Sequence, residues 1–341
     1  MTEGRVRIGV REVAARAGVS SQTVSRVIND HPNIRPETRR RVQSAMADLG
    51  YRVNNAARSL GTATTRTLGV LASDAALYGP GAGIAALEAA ARAADRWIAT
   101  AHADAADAGS VEAAVERLLA QGIDGLVVLA PHAHTLDLVR AAVRDVPVAA
   151  LHVRLGADGG ADRQAEGAAL AVDHLVALGH RRIARLAGPA DWLEAAARDR
   201  GLDAALARHG LVSGPRWEGD WSAAAGARLA PRVADAARTA DGPTAIVVAN
   251  DQMALGLMAG LDAVGIAVPG DLSVAGFDDN PDAAYYRPAL TTVRLDLAGE
   301  ARRAVAEALG LPGVAVPGPA RLRARASTAL LPVTSEVGTI D

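Results

Sequence analysis

Residues Val10 to Asn29 read VREVAARAGVSSQTVSRVIN, and their spacing predicts two short helices joined by a tight turn. Val10, Val13, Ala14 and Ala17 recur at i, i+3, i+4 and i+7, one apolar face of a first helix. Gly18 stands where that helix stops and the chain needs a left-handed residue. Ser20 is placed to cap a second helix. In it Val24, Val27 and Ile28 turn back to a small shared core, which leaves Ser21, Gln22, Ser25 and Arg26 outside. Gln22 and Arg26 are four apart and share a face. Gln pairs well with adenine and Arg with guanine in the DNA major groove. This is the helix-turn-helix arrangement, whose second helix enters the groove. A plain surface hairpin with ordinary polar residues is the alternative.

The residues that follow favour DNA. Arg35-Pro36-Glu37-Thr38 starts a third helix, with Pro36 at the first helical position, where its missing N–H costs nothing. Val42, Ala45, Met46 and Leu49 form its apolar stripe, and Gly50 ends it. Up to Gly61 there are eleven Arg against five Asp plus Glu, a net of +6; the whole chain is −2, so the remainder is −8. A basic head on an acidic body is what phosphate contact predicts. A solvated charged face does not explain why the excess sits on one small domain. Asn54 to Gly61 then has a short helical pattern, below the roughly 12 residues an isolated helix needs, and is expected to order only on a partner.

The 341 residues leave room for two further lobes behind the head. Half the residues are apolar, ample for a core. There is no Cys, so disulfides and thiol chemistry are excluded. No apolar run reaches the ~18 residues of a membrane span and no signal-peptide pattern is present, so a cytoplasmic location without membrane contact is expected. All 36 basic residues are Arg, a bias we attribute to base composition of the genome.

From Thr67 onward short apolar runs alternate with helical patterns. Thr67–Ser73, Trp97–Ala101, Gly125–Leu129 and Val148–Leu151 are strand candidates, with helices expected near Gly83–Asp95, Ser110–Gln121 and Thr135–Arg144. In a second series Ile183–Ala187, Ala245–Ala249 and Leu272–Gly276 read as strands, and Glu166–Leu178, Leu193–Arg208, Ala223–Thr239 and Gln252–Val264 as helices. Such alternation indicates parallel α/β lobes, with ligands bound at the carboxyl ends of the strands.

No catalytic residue, metal or cofactor is expected. Gly79-Pro80-Gly81-Ala82-Gly83-Ile84 lacks the third small residue of a dinucleotide fingerprint. His132 and His134 have no nearby Cys or paired carboxylates to complete a metal site. There is no G-x-S-x-G, and adjacent Asp278 and Asp279 diverge rather than face across a bond.

From Val10 to Leu60 the chain resembles the LacI/GalR family of bacterial transcription regulators. The resemblance continues through His174–His180, Glu218–Ala223, Ala249–Gly256, Gly276–Asp279 and Leu290–Val293, and covers nearly the whole chain. It implies an all-α helix-turn-helix head on a two-lobed, periplasmic-binding-protein-like α/β body. The expected divisions are a head over 1–50, a hinge helix and linker over 51–66, and an effector and dimerisation domain over 67–341. Within that domain the first lobe would span about 67–162 and 294–320, and the second about 163–293 and 321–333. Implied base-reading positions are Ser21, Gln22 and Arg26, with Ser25, Asn29, Asn54, Ala57 and Leu60 also at the DNA. Leu60 would wedge into the minor groove. Val53 stands where the family usually has Pro.

The resemblance also implies an effector site of Leu77, Gly79, Pro80, His152, Arg198, Trp221, Asn250, Gln252 and Asp278. The chemistry suits a sugar. Asn250 donates and accepts, Asp278 accepts from paired hydroxyls, Arg198 is a donor fork, and Trp221 offers a flat wall to a pyranose. Capping and core packing are the bland alternatives for Asn250, Asp278 and Trp221. His152 replaces an Asp, Leu295 and Leu297 replace a Gln and a Phe, and Gly83 replaces an Ile, which suggests a roomier wall. The implied partners are double-stranded operator DNA, a sugar effector, a galactoside by first choice, and a second copy of the chain. No C-terminal leucine heptad is present, so a homodimer rather than a tetramer is expected. A corepressor-type or activating regulator, or a sugar-binding transport protein, are the alternatives to a repressor.

Overall fold

The structure is a computed structural model that describes residues 8–29, 31–52, 64–73, 77–105, 107–129, 132–153, 162–314 and 316–331. The head is built from α1 (Val10–Ala17), α2 (Ser21–Ile28) and α3 (Pro36–Asp48). Each boundary has a local cause. Gly18, at φ 64°, ends α1, and the Val19 N–H returns to the Ala14 carbonyl. The Ser20 hydroxyl accepts the Thr23 N–H at 3.1 Å to start α2. Pro36 is the first residue of α3. Val13, Val24, Val27 and Val42 meet Ala14, Ala17 and Ala45 in a small core, closed by Ile28, Ile34, Met46 and Leu49.

The body holds two parallel sheets. In the first, β1 (Thr67–Ala72), β2 (Trp97–His102), β3 (Gly125–Leu129) and β4 (Val148–Ala150) lie in the order β2-β1-β3-β4. The intervening helices are α4 (Tyr78–Ala93), α5 (Ala108–Ala120) and α6 (Ala133–Ala142). Strand residues alternate between faces: Leu68, Val70 and Ala72 meet Leu87 and Ala91, whereas Leu71 meets Val111 and Val115 on the other side. Both faces are covered, which is why these strands are nearly continuous apolar runs.

The second sheet repeats the plan. Here β5 (Ile183–Ala187), β6 (Arg216–Glu218), β7 (Ala245–Val248) and β8 (Ser273–Ala275) lie in the order β6-β5-β7-β8. Around them pack α7 (Arg163–Ala177), α8 (Leu193–Arg208), α9 (Ala223–Ala237) and α10 (Asp251–Ala263). Ile246 and Val248 go to one core, Ala245 and Val247 to the other.

A two-stranded antiparallel ribbon, β9 (Thr292–Arg294) with β10 (Arg321–Arg323), runs along this second lobe. Between its strands, α11 (Leu297–Ala308) packs on the first sheet, placing Ala301, Ala304 and Val305 against Leu68 and Val127. The chain therefore passes between the lobes three times: after β4, between β9 and α11, and between α11 and β10.

Three sequence expectations need correction. The first-lobe helix starts at Tyr78, not near Gly83, because Gly79, Pro80 and Gly81 fall in its first turn, where Pro needs no N–H. β6, β9 and β10 were not expected as strands; their sequences RWE, TVR and RLR carry charged residues and form no apolar run, unlike the equally short β4 and β8. Gly83 does not widen the wall. A Cβ there would lie 2.7 Å from Leu129 Cδ1 and 3.0 Å from Leu151 Cδ2, so neighbouring leucines already fill the space.

At Gly256 an added Cβ would meet the Ala223 carbonyl oxygen at 1.7 Å, where α9 and α10 touch backbone to backbone. Gly256→Ala is expected to cost about 3 kcal/mol by overpacking. Thermal unfolding should show a lower transition for the body with the head's DNA binding retained below it.

Candidate functional site

In an open parallel sheet a crevice forms outside the carboxyl ends of strands flanking the point where strand order reverses. Both sheets have such a point, β1/β3 in the first and β5/β7 in the second. Segments following the strands of both lobes line one cleft of about 970 Å³. After β1, Leu77 is the N-cap of α4 and Tyr78, Gly79 and Pro80 lie in its first turn, and His152 follows β4. Trp221 follows β6, Asn250 follows β7 and Asp278 follows β8, while Arg198 projects from α8.

Arg198 is held on every side. Its Nε donates to Gln164 Oε1 at 2.8 Å and its Nη2 to Asp278 Oδ1 at 3.4 Å, and its Nη1 donates to the Ala249 carbonyl. The guanidinium lies over Phe277 at 3.9 Å and beside Trp221 at 5.5 Å. Burial raises the Asp278 pKa to about 6 against the opposing pull of Arg198. Burial, with Arg198 and Arg303 nearby, drops His152 to about 3, so its ring is neutral. His152 sits at φ 64°, outside the range a non-glycine residue prefers.

Trp221 rests on glycine. A Cβ at Gly188 would come within 2.2 Å of the Trp221 ring, so only glycine leaves the indole its place. Trp221 also meets Trp192 edge-on at 5.3 Å, and Trp192 in turn meets His132 of the first lobe at 4.8 Å. His132 Nδ1 lies 3.0 Å from Asp191 Oδ2, which joins the lobes again.

Sequence reasoning assigned two residues imperfectly. Asn250 lines the cleft, yet its Oδ1 caps α10 through the Met253 N–H at 2.9 Å and its Nδ2 donates to the Trp221 carbonyl at 3.0 Å. Gln252 is not on the cleft lining; its Oε1 accepts the Tyr78 N–H at 3.2 Å across the lobes. The reason is position: Gln252 lies inside α10, while Asn250 is its cap.

Other residues were missed. Gln164, Trp192, Glu194 and Asn280 line the cleft as well. His152 Nδ1, Gln164 Nε2, Glu194 Oε2, Trp221 Nε1 and Asn280 Oδ1 are buried with no hydrogen-bond partner among the described residues. Buried polar atoms of this kind call for a partner. Glu194 and Gln164 carried no sequence signal beyond a helical pattern.

In the head, Ser21, Gln22, Ser25 and Arg26 are exposed on α2, while Val24 and Val27 are buried. Asn29 ends the helix half-buried. Asn54, Ala57 and Leu60, and the segment expected to form a hinge helix, lie outside the described residues. Among the described residues no group of three or more His, Cys, Asp or Glu is placed to hold a metal ion. No helix among them is long and apolar enough to cross a membrane.

A helix-turn-helix head joined to a two-lobed periplasmic-binding-protein-like body defines a class of DNA-binding transcription regulators. Residues 10–54 match the bacterial regulatory proteins of the lacI family, and residues 172–328 match a periplasmic binding protein-like domain. The lactose operon repressor of Escherichia coli strain K12 is 37% identical over 292 residues, covering 84% of this chain and 79% of the repressor. The HTH-type transcriptional regulator GalS of Salmonella typhimurium is 33% identical over 317 residues, 90% of each chain. A crystal structure of the lac repressor dimer bound to operator and the anti-inducer ONPF superposes with a TM-score of 0.80 at 33% identity, covering 94% of this chain and 99% of that one. A complex of the transcriptional regulator CelR with cellobiose superposes with a TM-score of 0.66 at 26% identity, covering 94% and 100%. The chain belongs to the LacI family of bacterial transcription regulators.

Burial raises Glu194 from 4.5 to about 7. Between those values the unfolded chain releases a proton that the folded one keeps, so stability falls as pH rises from 4.5 to 7 and then levels. Glu194→Gln removes that slope. The variant's melting temperature is expected to gain on wild type steadily between pH 4.5 and pH 7; a constant difference across that window would refute the assignment.

Proposed function

We propose that this protein is a homodimeric repressor of carbohydrate-utilisation genes, released from a pseudo-palindromic operator when a sugar enters the cleft. The observation that carries the reading is the set of unpartnered buried polar atoms around Arg198 and Asp278, beside the flat Trp221 wall. A ligand with many hydroxyls satisfies donors and acceptors of both kinds, and an indole face suits the C–H face of a pyranose. The chemistry is binding alone, without catalysis, and the setting is the cytoplasm, where the operator lies.

Ser21, Gln22 and Arg26 read bases while neighbouring groups contact phosphates, and Ser25 and Asn29 support them. Two heads take two half-sites, because the symmetry of the protein is mirrored in the operator. Asn54, Ala57 and Leu60 also contact the duplex. Sugar acts by binding more tightly to the arrangement that holds the heads apart. Dimers of the lac repressor and sugar complexes of related regulators support this reading.

The test begins with selection of duplexes by the full-length protein. A preferred pseudo-palindrome is expected, and a sugar that binds the protein should weaken its hold. By linkage the duplex must weaken sugar affinity by the same factor. Equal sugar affinity with and without operator would remove the allosteric claim. No preference among duplexes at moderate salt would remove the regulator reading itself. Arg26→Ala should lose about 10- to 100-fold of discrimination at one base position, with sugar affinity unchanged.

A further inference from the structure

We propose that the effector is an anionic saccharide, whose phosphate or carboxylate group is held by arginines of the β9–β10 ribbon. This rests on the saccharide reading above and narrows it.

In the ribbon Arg321 is paired with Arg294, and Leu322 with Val293. Paired residues point to the same face, and neighbours along a strand alternate. Val293 and Leu322 go down onto the second-lobe core. Arg294 and Arg321 therefore stand on the opposite face, joined by Arg323 one repeat along. All three line the cleft together with Arg325. Arg294, Arg321 and Arg323 are exposed, like charges directly opposite in a ladder repel, and an anion set over them relieves that repulsion.

The protein supplies only part of it. Asp279 lies 2.6 Å from Arg325, but 3.7 Å from Arg323 and 3.8 Å from Arg294. The last two are ion-pair distances beyond hydrogen-bond reach. Arg321 has neither an ion pair nor a hydrogen bond among the described residues. The donor forks of Arg294, Arg321 and Arg323 are all without a hydrogen bond there. Of the other carboxylates on the cleft, Asp278 pairs with Arg198, Asp296 accepts the N–H groups of Gly299 and Gly318 at 2.9 Å each, and Glu194 is buried on α8 and makes no ion pair with the ribbon among the described residues. A guanidinium fork matches a planar carboxylate or a phosphate face. A sugar against Trp221 with its charged substituent toward the ribbon satisfies both ends of the cleft.

Calorimetric titration of the full-length protein tests this with matched trios: D-galactose, its 6-phosphate and its uronate, and the same three for D-glucose, with inorganic phosphate as control. At least one charged member should bind tighter than its neutral parent by on the order of tenfold to a hundredfold. The phosphate and uronate arms show which anion is meant. Arg321→Gln combined with Arg323→Gln should collapse that ratio with thermal unfolding unchanged, and Arg321→Lys should collapse it less. Neutral sugars binding as well as every charged relative would overturn the proposal while leaving the sugar-released repressor intact. So would inorganic phosphate binding as tightly as the sugar phosphate, or a ratio untouched by the double variant. If no member of either trio binds, this proposal and the saccharide reading fall together.

Discussion

The Arg198 guanidinium is a charge that the fold has taken out of water, and the cleft is arranged around that fact. Burying a charge is costly unless it is paired and hydrogen-bonded. Gln164 on α7, the carbonyl at the end of β7 and the carboxylate after β8 meet that demand together. Phe277 supplies an aromatic face beneath. Four separate chain segments are thereby fixed relative to one another. Burial, with the same charge adding to it, keeps His152 neutral, and that charge offsets part of the rise that burial imposes on the Asp278 pKa.

Around this rigid centre directional contacts join the lobes. His132 lies tilted against Trp192 and meets Asp191 on one side, and the Tyr78 N–H reaches Gln252 on another. Leu77 also packs against the second-lobe core and Leu193 against the first. Single hydrogen bonds of this kind are worth about 1 kcal/mol each. A ligand that bridges both lobes adds bonds of the same size across the opening, and it shifts the population by as much as it favours one arrangement over the other.

How much was legible in the sequence varied with the physics involved. The head could be read almost residue by residue, because its turns depend on Gly18, Ser20 and Pro36, whose backbone preferences are local. The long buried strands were equally plain. The edges β6, β9 and β10 were not, since their pairing is fixed by distant partners and not by their own three residues. In the site, Arg198, Trp221 and Asp278 were identifiable through resemblance. Glu194 and Gln164 were not, because their importance comes from burial, and nothing in a helical Glu or Gln announces it. Gly83 shows the converse error: a missing side chain was read as space, but packing had already filled it. The arginine face of the ribbon was invisible for a further reason. In a chain whose every cation is Arg, three more attract no notice until the register aligns them.

That uniformity has a consequence for the head. A guanidinium is not deprotonated in proteins, so alkaline conditions do not remove its charge as they remove that of an ammonium. With no Lys in the chain, acetylation has no side-chain amine to neutralise. The head's electrostatic attraction for a polyanion is thus out of reach of both alkaline titration and lysine acetylation. Any control over it has to come from where that charge is held, not from how much of it there is.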